Sequence, residues 1–130
     1  MYEDGYENIT NIDISHTCVN FMSERIKERC KNMKYKYGNV CEMSEFKSGE
    51  FNCVLDKGTL DSVLCGDNSE PNAEKMLSEI HRVLAPNGVF ICVTYGDEEN
   101  RKKYFVSFFL FVFLLFFSRK NLIGKLRLIK

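Results

Sequence analysis

The sequence predicts an α/β domain with a mostly parallel sheet and helices on both faces. Apolar, β-rich runs alternate with stretches of helical periodicity, the order that builds parallel sheets. The run VFICVTY (89–95) is continuously apolar and rich in β-branched residues, as central parallel strands are. Finally, the strand-like runs close on charged residues: Asp13, Glu42 and the pair Asp56-Lys57. In such sheets ligands bind outside the carboxyl ends of the strands.

The first predicted strand is ITNIDIS (9–15). Val19, Met22, Ile26 and Cys30 then recur at helical spacing, which predicts a helix to about Asn32 capped by Ser15. GNVCEM (38–43) reads as a second strand and FNCVLD (51–56) as a third, buried one. A short helix should follow Gly58. Beyond the polar loop CGDNSEPN, Met76, Leu77, Ile80, Val83 and Leu84 form the apolar stripe of a helix with Pro71 in its first turn. The turn residues of LAPNG (84–88) stop it before the 89–95 strand.

At 130 residues the chain is long enough for one modest domain. Its zero formal charge is a cancellation. All 18 acidic residues and ten of the 18 basic ones lie in 1–100, a net of −8, whereas 101–130 holds eight basic residues and no acidic one. The acidic balance of 1–100, without a basic patch interleaved with aromatics, argues against a nucleic-acid partner. Six cysteines are spread singly with no C-x-x-C pair. That spacing predicts reduced core thiols and a cytoplasmic protein, with no metal site. The acidic N-terminus MYEDGYENIT is not a secretory signal pattern.

Asp13 has two readings. A carboxylate at a strand end matches the vicinal diol of a ribose, and it equally suits the start of the next helix. Glu42 could bind the amino edge of an adenine while Met43 packs on its face. Against that stand a solvated turn glutamate and a core methionine, and nearby Glu45 leaves the register open. His16 and His81, the only histidines, have no partners that suggest nucleophilic catalysis.

DKGTLDSVLCG, with NITNIDIS upstream and MLSEIHRVLAPNGVFICVTY downstream, resembles the class I S-adenosylmethionine-dependent methyltransferases. It is most similar to the methyltransferase-like protein 13 group, which includes the methyltransferase region associated with endothelin-converting enzyme 2. The resemblance runs from residue 1 to about 104. It implies an incomplete Rossmann-like sheet, S-adenosyl-L-methionine as cofactor, and a protein lysine as acceptor, specifically in translation elongation factor one-alpha. Carried over by position, Asp13 and Ile14 lie beside the ribose, Glu42 and Met43 beside the adenine, and Asp56 and Lys57 beside the methionine moiety. Gly58 would let the backbone pass close to the cofactor, and Thr59 and Asp61 would cap the short helix.

The sequence departs from that family at both ends. Its opening strand and glycine-rich cofactor loop do not precede Asp13, so 1–103 reads as a partial methyltransferase domain. Residues 104–130 read as a divergent Phe/Lys-rich tail, since seven of the eleven phenylalanines lie between Phe105 and Phe117. The 15-residue run 104–118, with basic flanks, is open to three readings: a membrane-associating segment, sequence foreign to the domain, or a native core element. As a helix it would span about 22 Å against a hydrocarbon core of about 30 Å. The alternative to an enzyme is a non-catalytic remnant or interaction module lacking a complete cofactor site, with membrane contact through 104–118.

Overall fold

A computed structural model of the chain describes residues 1–106, 113–118 and 127–129. It is a mixed α/β structure with mostly parallel strands, divided into two compact units, 1–43 and 44–130.

The first unit is one βαβ turn. Strand β1 (Thr10–Asp13) leads into helix α1 (His16–Ile26) and returns as β2 (Lys34–Tyr37), parallel to β1 with Thr10 opposite Lys34 and Asp13 opposite Tyr37. Ser15 caps α1 as its residue type predicts, its Oγ accepting the Cys18 amide at 3.2 Å. The helix ends at Ile26, six residues before the predicted Asn32. Amides of Arg29 and Cys30 both turn back to the Ile26 carbonyl, which lets Lys34 reach the Ile9 carbonyl and begin the parallel ladder.

The second strand is displaced from its predicted place. The ladder occupies KYKY, before GNVCEM, and stops where the Gly38 amide reaches the Asp13 carbonyl at 3.1 Å. Residues 39–42 fold into a tight turn instead. Asn39 Oδ1 accepts the Cys41 amide, and Asn39 bridges Glu42 in antiparallel fashion. Alternation of lysine and tyrosine gave KYKY little apolar signal. Its strand character comes from β1 beside it.

In the second unit, β3 (Phe51–Lys57) pairs in parallel with β4 (Leu84–Thr94), and β4 pairs in parallel with β5 (Phe113–Ser118). Strand β6 (Arg127–Ile129) closes the sheet antiparallel to β5, giving the order β3-β4-β5-β6. Between β3 and β4 lie α2 (Thr59–Cys65) and α3 (Ser69–Val83), and α4 (Glu98–Val106) follows β4. The predicted stripe of α3 is buried throughout, joined by Ala73, and Phe90 and Cys92 of β4 are fully enclosed. Phe105 of α4 packs edge-on against Phe90, with ring centroids 6.3 Å apart.

The turn residues LAPNG sit inside the β3–β4 pairing as an irregularity: Phe51 faces Leu84 while Cys53 faces Val89. Asn87 takes φ 64°, and a Cβ on Gly88 would meet the Ala85 carbonyl oxygen at 2.8 Å. Only glycine fits that approach. Strand β3, expected to be buried, is half-exposed, with Leu55 49% accessible and Cys53 exposed. Its apolar composition matches a central strand, but among the described residues it is hydrogen-bonded on one side only.

The 104–118 run is not one membrane-spanning helix. Tyr104 and Phe105 belong to α4, and 113–118 form β5 between β4 and β6; 107–112 lie outside the described residues. Periodicity cannot separate a short apolar strand from a buried helix segment, whereas backbone pairing on both sides of β5 does. No described helix is long and apolar enough to cross a membrane. The composition break at 100/101 falls within the second unit.

Leu77 is completely enclosed. Leu77→Ala should therefore cost about 2–5 kcal/mol of unfolding free energy. Urea denaturation of the variant and parent measures this directly.

Candidate functional site

In the first unit the carboxyl ends of β1 and β2 lie side by side, because Asp13 and Tyr37 are register partners. Asp13 Oδ1 accepts the Ser15 amide at 2.8 Å, and the same carboxylate holds the Cys18 thiol above its usual range through a hydrogen bond. Asp13 thus steadies the entry to α1 and stands at the end of a parallel strand. Ile14 follows, 67% exposed. Tyr37 stacks on His16 with centroids 3.8 Å apart and planes 4° from parallel.

Glu42 and Met43 lie elsewhere in this unit. Glu42 is exposed at the end of the 39–42 turn, bridged to Asn39, and Met43 is buried, 5% accessible. The residue that follows the β2 end most closely with a polar side chain is Asn39. Sequence reading passed over it because the strand was placed four residues too late. The signal was the Gly38-Asn39 pair, a turn dipeptide that ends strands rather than starting them.

In the second unit Asp56, Lys57 and Gly58 close β3 as the sequence predicted. Asp56 is 4% accessible, and its two oxygens accept the Thr59 amide at 2.8 Å and the Leu60 amide at 3.2 Å. It therefore caps α2 from outside the helix, the role the sequence gave to Thr59 and Asp61. Gly58 takes φ 82°, and no protein atom lies within 4 Å of a Cβ built there. Its glycine is required by the left-handed backbone, not by protein crowding. Lys57 stays exposed.

Asp61 instead gathers the end of β4. Its carboxylate accepts the Tyr95 amide at 2.8 Å, Arg101 Nη2 at 2.7 Å and the Thr94 hydroxyl. Thr94 Oγ1 in turn accepts Arg101 Nε and the Gly96 amide, each at 3.1 Å. Arg101 and Asp61 are only 15% and 16% accessible, so the pair is shielded enough to matter. One acid thereby ties α2, β4 and α4 together. The sequence could not show this, since Asp61 and Arg101 are 40 residues apart. Among the described residues no cluster of His, Cys, Asp and Glu is placed to hold a metal ion.

A methyltransferase domain model matches residues 1–92. The chain belongs to the methyltransferase domain family. Curated relatives agree: it is 39% identical over 98 residues to the zebrafish (Danio rerio) "eEF1A lysine and N-terminal methyltransferase", covering 75% of this chain and 14% of that protein. Against the Bos taurus protein of the same name it is 36% identical over 105 residues, covering 79% of this chain and 15% of the relative. The mouse (Mus musculus) "EEF1A lysine methyltransferase 4" is 30% identical over 115 residues, with 82% of this chain and 44% of that one covered. The chain thus spans less than half the length of these relatives.

Among solved structures, the PH0226 protein of Pyrococcus horikoshii OT3 superposes with a TM-score of 0.58 at 26% identity, over 70% of this chain and 40% of that one. The YcgJ protein of Bacillus subtilis gives 0.59 at 20% identity over 77% and 40%, a likeness of fold alone. Together they make this methyltransferase domain Rossmann-like.

Two outcomes test the site. Asp56→Ala strips α2 of its cap and should lower stability by about 2 kcal/mol, measured by urea denaturation. The Cys92 thiol is held far above its usual range by burial first and by Asp56 second. A raised pKa means less thiolate at any given pH. Iodoacetamide at mildly alkaline pH should therefore modify exposed Cys65 well before Cys92, as peptide mapping by mass spectrometry reads out.

Proposed function

We propose that this chain forms part of an S-adenosyl-L-methionine-dependent methyltransferase that modifies a lysine of a protein, with translation elongation factor one-alpha as the acceptor. The observation that carries the reading is Asp13, a carboxylate oriented by the Ser15 amide where a parallel strand ends. Membership of the methyltransferase domain family and the printed names of the relatives supply the reaction and acceptor class.

Within the first unit, the residues at the ends of β1 and β2 suit the nucleoside part of the cofactor. A two-oxygen acceptor suits the ribose diol, and exposed Ile14 offers an apolar surface next to it. Asn39 replaces Glu42 as the residue proposed for the adenine side, since it follows the end of β2. Described by itself, the second unit holds the Lys57-Gly58 turn through the Asp56 oxygens, which are taken by backbone amides. When bound, the cofactor supplies a sulfonium methyl group and departs as a neutral thioether. The chain's own task is to align the reactants and exclude water, which requires no acid–base dyad. Six cysteines spaced singly along the sequence, with no C-x-x-C pair, support a reducing cytoplasmic location. A non-catalytic module has no comparable support, since all three relatives named above are methyltransferases by name.

Calorimetric titration of the purified chain with S-adenosylhomocysteine should show saturable binding. Asp13→Asn keeps an acceptor for the Ser15 amide but removes the charge, and should weaken that binding about tenfold. No heat at near-millimolar ligand would overturn the reading for this polypeptide. Transfer of label from S-adenosylmethionine to a lysine of the elongation factor tests the acceptor.

A further inference from the structure

A cleft of about 820 Å³ opens in the second unit at the carboxyl end of β4, lined by Asn68, Glu70, Tyr95, Asp97, Arg101 and Tyr104 among others. Its charges are unequally committed. Arg101 is held by Asp61 at 2.7 Å, with both side chains largely shielded. Asp97 Oδ1 accepts the Asn100 amide at 2.9 Å and starts α4. Lys103 is different. Its ammonium lies 2.9 Å from Glu70 Oε1 and 4.7 Å from the centroid of the Tyr104 ring. A carboxylate and an aromatic face on one cation are the elements from which ammonium receptors are built.

The hold on Lys103 is weak. The two charged side chains are 59% and 66% accessible, and exposed pairs of this kind contribute little net stability. Lys103 also sits on a four-carbon stem that can leave without disturbing α4, which Phe105 and Arg101 anchor independently. With Lys103 swung out, Glu70 and Asp97 leave the cleft lining acidic, because Arg101 stays neutralised by Asp61.

We propose that Glu70 and Tyr104 form an ammonium-binding corner of this cleft, which receives the primary amine of a protein substrate. Lys103 is its resident intramolecular competitor. The assignment rests on the methyltransferase reading for its biological meaning, and on the Glu70–Lys103–Tyr104 geometry for its chemistry. A primary ammonium could come from a lysine side chain or from a chain terminus.

The test uses the full chain and two probes, Nα-acetyl-lysine methylamide and a lysine-free tripeptide amide with a free N-terminus. Nα-acetyl-norleucine methylamide is the uncharged control. Binding is followed by amide chemical shifts. The lysine probe should move residues 69–71 and 95–104, and the norleucine control should not. Lys103→Met should tighten probe binding about threefold and Glu70→Gln should weaken it about threefold, with unchanged thermal melting in both. The same order for the free-amine peptide alone would support the corner and assign it to a chain terminus. Equal affinity in parent, Lys103→Met and Glu70→Gln, or shifts confined elsewhere, would overturn it. Calorimetric binding of S-adenosylhomocysteine without any probe response sinks the corner and leaves the methyltransferase reading standing. A probe response without cofactor binding does the reverse.

Discussion

Strand β4 is paired on both edges, with β3 and with β5, and the rest of the second unit is arranged around that double pairing. A strand held on both sides satisfies its backbone groups internally, so its side chains are free to be apolar. Phe90 and Cys92 exploit this and are fully enclosed, while α3 buries its stripe. The end of the strand then becomes a fixed point. Thr94 and the Tyr95 amide meet Asp61 there, and Arg101 of α4 completes the same network. Loosening β4 would release α2 and α4 together.

The two acids of the DKGTLD run divide the labour between backbone and tertiary contacts. Asp56 acts locally, holding two amides of the helix that starts three residues later. Asp61 acts at long range, across 33 to 40 residues of sequence. Between them lies Gly58, whose left-handed backbone makes the sharp change of direction. The exposed Lys57 is thereby presented on a rigid support rather than on a loose loop. In the first unit Asp13 plays a comparable double part, ordering the start of α1 and marking the end of β1.

Where local chemistry and tertiary context agreed, the sequence was readable. The Ser15 cap, the α3 stripe and the apolar 89–94 part of β4 each follow from residue type and spacing, whereas LAPNG, expected as a turn ahead of the strand, is its irregular first part. Errors arose where a neighbour supplied what the residues did not show. KYKY lacks apolar alternation and is a strand because β1 lies beside it, which moved the strand end away from Glu42 and toward Asn39. Apolar residues in β3 suggested full burial, yet Leu55 and Cys53 reach solvent. Of the three readings open for 104–118, the sequence chose none, and it is the pairing of 113–118 along β4 that puts that part in the sheet.

Alone, the sequence determined the α/β class, the family marked by DKGTLD, and the acids at the ends of β1 and β3. Those properties are written in nearest-neighbour chemistry: periodicity, turn residues and short-range capping. Only the tertiary structure decided that Asp61 is a brace for Thr94, Tyr95 and Arg101, that Glu42 lies off the strand end, and that Lys103 rests on Glu70 and Tyr104. Each of these depends on the pairing partner of a strand or on a contact from a distant helix. Such contacts are set by how the elements pack, and no local pattern of residues encodes them.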